Sequence, residues 1–176
     1  MMTNVMPSAF KPIDFKNFKT ELQPKERFDL IPYASNFIAK NPHAKIYVGS
    51  DSQNKQETRR RRSAKVTKFV TVVAFRLGHN GVHVIYLESV YKPMIRDVWT
   101  RLWGELERTR ELVEYLETNS SLKVHQVDLD YNEDEEEYSH RLLAAGKGLF
   151  TGLGYRVGTK PGELVATKAA DHLARL

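Results

Sequence analysis

The chain contains no cysteine. Disulfides and thiolate metal sites are therefore excluded, and any metal must be held by oxygen or imidazole ligands. The opening stretch MMTNVMPSAFKPIDF lacks an apolar core of signal-peptide length, and no later run approaches the roughly 18 apolar residues of a membrane span. A soluble, cytoplasmic protein without a membrane partner is expected. Internal repeats and long low-complexity tracts are missing as well, so the useful reading is the order of the elements. His125 and His172 stand singly, as structural or solvated histidines usually do.

What is present is 176 residues, of which 41% are hydrophobic. That suffices for one domain with a real core, and the expected organisation is an arm over residues 1–25 and a single domain over residues 26–176. Phe10, Phe15 and Phe18 are the arm residues able to pack against the body. The formal charge is +5 with a pI near 9.3, and the excess is concentrated. Arg59, Arg60, Arg61 and Arg62 are consecutive, with Lys55, Lys65 and Lys68 close by, while acids gather between Asp128 and Glu137. Such a basic loop either meets a phosphate backbone or is a solvated hairpin tip.

A short helix is expected near Pro32, ending at NPHA. Three strand candidates follow: Lys45 to Ser50, Lys65 to Leu77 and Val82 to Tyr91. The turn signal GHNG precedes the third, and antiparallel pairing of the three is the economical reading. After Pro93 the apolar period becomes helical, from Asp97 to Glu117. A fourth strand spans Leu122 to Leu129, and a second long helix spans Glu133 to Gly152, with Asn132 and Glu135 at capping-box spacing. A fifth strand lies at Tyr155 to Val157, before a closing helix from Glu163 to Leu176. Strands alternating with helices pair in parallel through right-handed crossovers, so the expected fold is α/β with one mixed five-stranded sheet.

In such a sheet the first and fourth strands can lie side by side, their C-terminal ends opening onto one edge. Asp51 follows the first strand, where it is a turn former or a tool, and Asp128 ends the fourth. Two carboxylates brought together repel unless a cation lies between them, a first hint of a divalent site. On the long helix, Leu102, Leu106, Val113 and Leu116 define the buried stripe, and at about 100° per residue Glu105 is the acid best placed at its margin near the helix start. Asp171 follows three alanines among apolar neighbours, where an acid needs a partner: a cation in a metal site, or a salt bridge to Arg156 or Lys160. A calcium loop starting at Asp128 is excluded, since the sixth position is Glu133 rather than glycine and the twelfth is Ser139.

Four acids in this order resemble the ribonuclease H-like superfamily, and more closely the YkuK family within it. The likeness is carried by YVGSDSQ at Tyr47 to Gln53, RLWGEL at Arg101 to Leu106, VDLDYN at Val127 to Asn132, GLGYRVGTKP at Gly152 to Pro161 and AADHLARL at Ala169 to Leu176. The resemblance implies Asp51, Glu105, Asp128 and Asp171 as the acidic set. Gln126 stands where the family has histidine and Asp130 where asparagine is usual, leaving open whether Asp128 acts alone or with Asp130. Converging acids of this kind suit two-metal phosphodiester hydrolysis with Mg²⁺ or Mn²⁺. Lys160 is then placed to touch the scissile phosphate, and Arg59 to Arg62 to hold a flanking strand of RNA, DNA or a hybrid. The alternatives are a nucleic-acid-binding module without turnover and a protein-interaction domain whose acids are structural.

Overall fold

The structure is a computed structural model and describes residues 10–131, 137–160 and 162–176. Its elements are α1 (Leu30–Lys40), β1 (Lys45–Arg59), β2 (Arg62–Arg76), β3 (Val82–Tyr91), α2 (Val98–Asn119), β4 (Val124–Asp128), α3 (Glu137–Gly152), β5 (Val157–Gly158) and α4 (Ala166–Arg175). The strands form one mixed sheet in the order β3-β2-β1-β4-β5. β1, β2 and β3 are an antiparallel meander, and β4 and β5 join β1 in parallel. The expected α/β sheet is therefore the observed one. The capping signal at Asn132 and Glu135 lies outside the described residues.

Alternation along the strands sorts their side chains onto two faces. Ile46, Val48, Val73, Phe75 and Ile85 point to one side and form a core with Leu106, Leu112 and Leu116 of α2 and Leu142 and Phe150 of α3. Tyr47, Val70, Val72 and Ala74 point to the other, where Ala166, Ala170, Leu173 and Ala174 of α4 cover them. The result is a three-layer arrangement in which, among the described residues, α4 is the one helix on its face. At Gly49 the approach of α4 is so close that a Cβ would meet Thr167 Cγ2 at 2.8 Å, which explains a glycine inside a buried strand.

Two caps anchor the helix starts. Asp29 accepts from the Ile31 N–H at the head of α1, and Asp97 from the Thr100 N–H at the head of α2. Along the outer edge, Lys19 bridges Tyr86 of β3 through main-chain bonds, and Phe18, fully buried, pairs with Phe28. This covers part of what would be an open sheet edge. Phe15 stacks on Tyr115 of α2 at a centroid distance of 3.7 Å.

One element departs from the expected boundaries in a way that bears on function. β1 does not stop at Ser50; it runs to Arg59, paired residue for residue with β2. Gly, Ser and Asp read as turn residues when taken alone, but β2 supplies a partner for each of them, and the ladder outweighs local turn preference. Asp51 is thus a strand residue opposite Val70, beyond the point where parallel β4 ends.

Candidate functional site

Where β4 stops, the continuing half of β1 is left without a parallel neighbour, and carboxylates collect there. The parallel register matches Val48 with Val127. Three residues further on, the same register sets Asp51 level with Asp130. From α2, Glu105 reaches the same region: it is buried and accepts a short hydrogen bond from the Ser52 hydroxyl. Asp171, from α4, is half-buried and accepts from Arg175 Nε at 2.9 Å.

These acids act on one another. Burial first, opposed by a hydrogen bond from the Ser52 N–H, and then the negative charges of Asp171 and Asp130, hold the Asp51 carboxyl up at about 6. Burial and the charge of Asp51 push Glu105 well above the ordinary carboxylate range, with Asp130 adding to the push. Asp51 Oδ2 is buried and has no hydrogen-bond partner among the described residues. A buried carboxylate oxygen left unpartnered among like charges is a costly arrangement, and a cation is what relieves it.

Cations of the chain already stand around the cluster. Lys160 Nζ lies 2.6 Å from Asp130 Oδ1, and Arg101 Nη1 lies 3.8 Å from Glu105 Oε1. The same Arg101 nitrogen donates to the Ser52 carbonyl at 3.1 Å and to the Ser52 hydroxyl at 2.9 Å, tying α2 to β1. Among the described residues, no three His, Asp or Glu side chains are gathered closely enough to hold one ion as they stand.

Asp128 has a different occupation. It is 1% exposed, and its Oδ2 accepts from the N–H groups of Val165 and Ala166, each at 2.7 Å, and of Thr167 at 3.4 Å. Its Oδ1 accepts from Gln126 Nε2 at 2.8 Å. Val165, at the N-cap of α4, offers no capping side chain. The β4 aspartate therefore does the capping from across the sheet, at the positive end of the helix. Burial raises its pKa while these four hydrogen bonds oppose the rise.

A family model for ribonuclease H-like proteins matches residues 30–175. The chain belongs to the ribonuclease H-like family. No curated protein and no solved structure matches it.

In this ribonuclease H-like protein, three of the four acids expected from sequence, Asp51, Glu105 and Asp171, form an electrostatically coupled group centred on Asp51, and the fourth, Asp128, is bound to the start of α4. Asp130 completes the coupled group instead. Arg101 and Ser52 were not singled out from sequence. The signal for Arg101 is its spacing of one helical turn from Glu105, which puts both on one face of α2. Asp130, left open beside Asp128 in the sequence, is drawn into the group by the length of β1 and its register with β4.

The four arginines occupy the tip of the β1–β2 hairpin. Arg59 pairs with Arg62, and Arg60 and Arg61 form a two-residue turn with φ of 45° and 67°. All four are exposed. Both central residues sit in the left-handed region, which asparagine and glycine adopt readily and arginine does not. A tip built for stability alone would use other residues.

Proposed function

We propose that this ribonuclease H-like protein, of the YkuK type, is a nuclease that hydrolyses phosphodiester bonds with two divalent ions, Mg²⁺ or Mn²⁺. The observation that carries the reading is the coupled acid group around Asp51 Oδ2, the buried oxygen without a partner among the described residues. Its donors are all oxygens, which suit hard cations. Asp51 is the central ligand of the set, with Glu105, Asp130 and Asp171 around it. Asp128 leaves the ligand set expected from sequence and becomes the residue that holds α4, and so Asp171, in place. When bound, the ions would supply an activated water and neutralise charge on the phosphate and the leaving oxygen.

The chain's own residues prepare that chemistry. Arg101 and Ser52 fix Glu105 against β1. Lys160 balances Asp130, and with a metal ion on Asp130 its ammonium is available to a phosphate oxygen. The arginine tip supplies sequence-independent contacts to the backbone of RNA, DNA or a hybrid.

A second reading, a nucleic-acid-binding module without turnover, is favoured by the three protein cations that already face the acids and by the lack of a gathered ligand trio among the described residues. A cleavage assay on hybrid, duplex and single-stranded substrates with Mg²⁺ and with Mn²⁺ separates the two. Cutting that disappears in Asp51→Asn with folding intact supports the nuclease. Tight binding with no cutting of any substrate by the wild-type chain supports the module, and an Asp51→Asn variant as active as wild type removes Asp51 from the site.

A further inference from the structure

Arg108 lies on α2, one turn beyond Gly104, and faces the segment that precedes α1. Only 2% of it is exposed. Its guanidinium sits over Phe69 at 5.2 Å and over Tyr91 at 5.3 Å, and Nη2 donates to the Tyr91 hydroxyl in a short bond. Nε and Nη1 are buried and have no hydrogen-bond partner among the described residues. Aromatic faces attract a cation but do not accept its N–H bonds in the manner of an oxygen, and a buried arginine normally pairs with a carboxylate. No carboxylate lies within ion-pair distance of it among the described residues.

Arg108 is also part of the wall of a cavity of about 330 Å³ between β3 and the segment before α1. Lys11, Lys19 and Arg27 line the same cavity, against Asp14 and Glu88. Glu88 is already held by Lys19 and by Lys68. Asp14 is engaged by Asn17 Nδ2 at 2.6 Å. Among the described residues the cavity wall thus carries four cations, Lys11, Lys19, Arg27 and Arg108, against the two carboxylates Asp14 and Glu88, with Glu111 adding its charge to Arg108 from the next turn of α2. The Lys11 N–H donates to the Tyr91 hydroxyl at 3.0 Å, which places the rim and the buried guanidinium on the same phenol oxygen.

We propose that this cavity is an anion site for a small phosphorylated ligand, inorganic phosphate or a phosphate monoester such as a mononucleotide, with Arg108 as its buried donor and Lys11 and Arg27 at its rim. Four cations against two carboxylates call for a dianion, and phosphate brings both the charge and several acceptor oxygens for N–H groups that otherwise lack them. The volume admits a ligand of that size and not a polynucleotide strand. The site is separate from the acids at Asp51 and does not depend on the proposed nuclease activity.

The test is calorimetric titration of the full chain with inorganic phosphate, with a nucleoside 5′-monophosphate and with succinate, in chelator so that no divalent ion bridges phosphate to the acids. Phosphate and the monophosphate are expected to saturate and succinate to bind more weakly. The double variant Lys11→Ala/Arg27→Ala, whose side chains are exposed, is expected to weaken phosphate binding about tenfold or more with unchanged melting temperature. Arg108→Lys, which keeps the charge and loses the guanidinium donors, is expected to do the same if it folds. The proposal is overturned if phosphate fails to saturate by about 10 mM, if the double variant binds it as well as wild type, or if succinate binds as tightly as phosphate.

Discussion

Asp51 is a residue whose placement opposes stability. Its carboxyl titrates at about 6 against an ordinary 3.8, so the folded chain binds this proton more tightly than the unfolded chain does. Stability that is present below the lower value is therefore lost as pH rises from about 4 to about 6, on the order of 2 kcal/mol once partial solvent screening is allowed for. Asp51→Asn is expected to recover about that much in urea denaturation near pH 8 in chelator, and nothing near pH 4. Equal effects at both pH values would show that the buried charge is not the cause. Asp128 and Asp130 give the opposite pair of outcomes. Asp128→Asn sets an NH2 group against a donor, either Gln126 Nε2 or the N–H groups of α4, and the lost acceptor is expected to cost about 1–2 kcal/mol. Asp130→Asn gives up only a part-exposed pair with Lys160, within about 1 kcal/mol; on the proposed metal site, Mg²⁺ is expected to raise the melting temperature of the wild-type chain and not that of this variant. If Asp128→Asn were the variant that lost the Mg²⁺ response at unchanged stability, the two roles would be exchanged.

At the scale of elements, the β1–β2 hairpin carries the molecule's clearest conflict between local preference and observed structure. Fifteen residues of β1 pair with β2, and the turn that joins them puts Arg60 and Arg61 at positive φ. Left-handed backbone costs a side chain with a Cβ about 1 kcal/mol or more per residue. Arg60→Asn with Arg61→Gly is therefore expected to stabilise the chain by about 1–2 kcal/mol in chemical denaturation, while weakening its binding to nucleic acid. Gain in stability without loss of binding would mark the tip as a solvated turn. The same hairpin shows where sequence was a poor guide. Val66 to Phe75 announces a strand through its β-branched and aromatic residues, but Ser50 to Arg59 is polar throughout. It is held in the sheet by its register with β2 and not by its own propensity. The expected end at Ser50 failed for that reason, and it hid the strand position of Asp51.

For the whole molecule, the order of the elements was legible because each change of hydrophobic period, from two to about 3.6, is sharp and each crossover has one favoured hand. The acids were legible only as candidates. Asp128 ends β4 and Asp130 lies two residues beyond it, and the roles of the two are told apart only by knowing that α4 begins against Asp128. What the finished fold adds is a separation of charge: acids gather where β4 ends, and the arginines project at the far end of the β1–β2 ribbon. On the proposed nuclease reading, a polynucleotide that presents a phosphate to Asp51 would run along the ribbon toward Arg59 to Arg62, where counterion release would add to its binding. The slope of log K against log salt for a duplex falls by about 0.9 for each phosphate that the protein no longer neutralises. Replacing Arg59, Arg60, Arg61 and Arg62 by glutamine is therefore expected to flatten that slope by about 2 to 4 while leaving the Mg²⁺-induced rise in melting temperature at its wild-type value. Fluorescence anisotropy at several salt concentrations reads the first quantity and thermal melting the second. An unchanged slope would place the nucleic acid elsewhere on the surface, and loss of the Mg²⁺ response would mean that the ribbon and the acids are not separate devices.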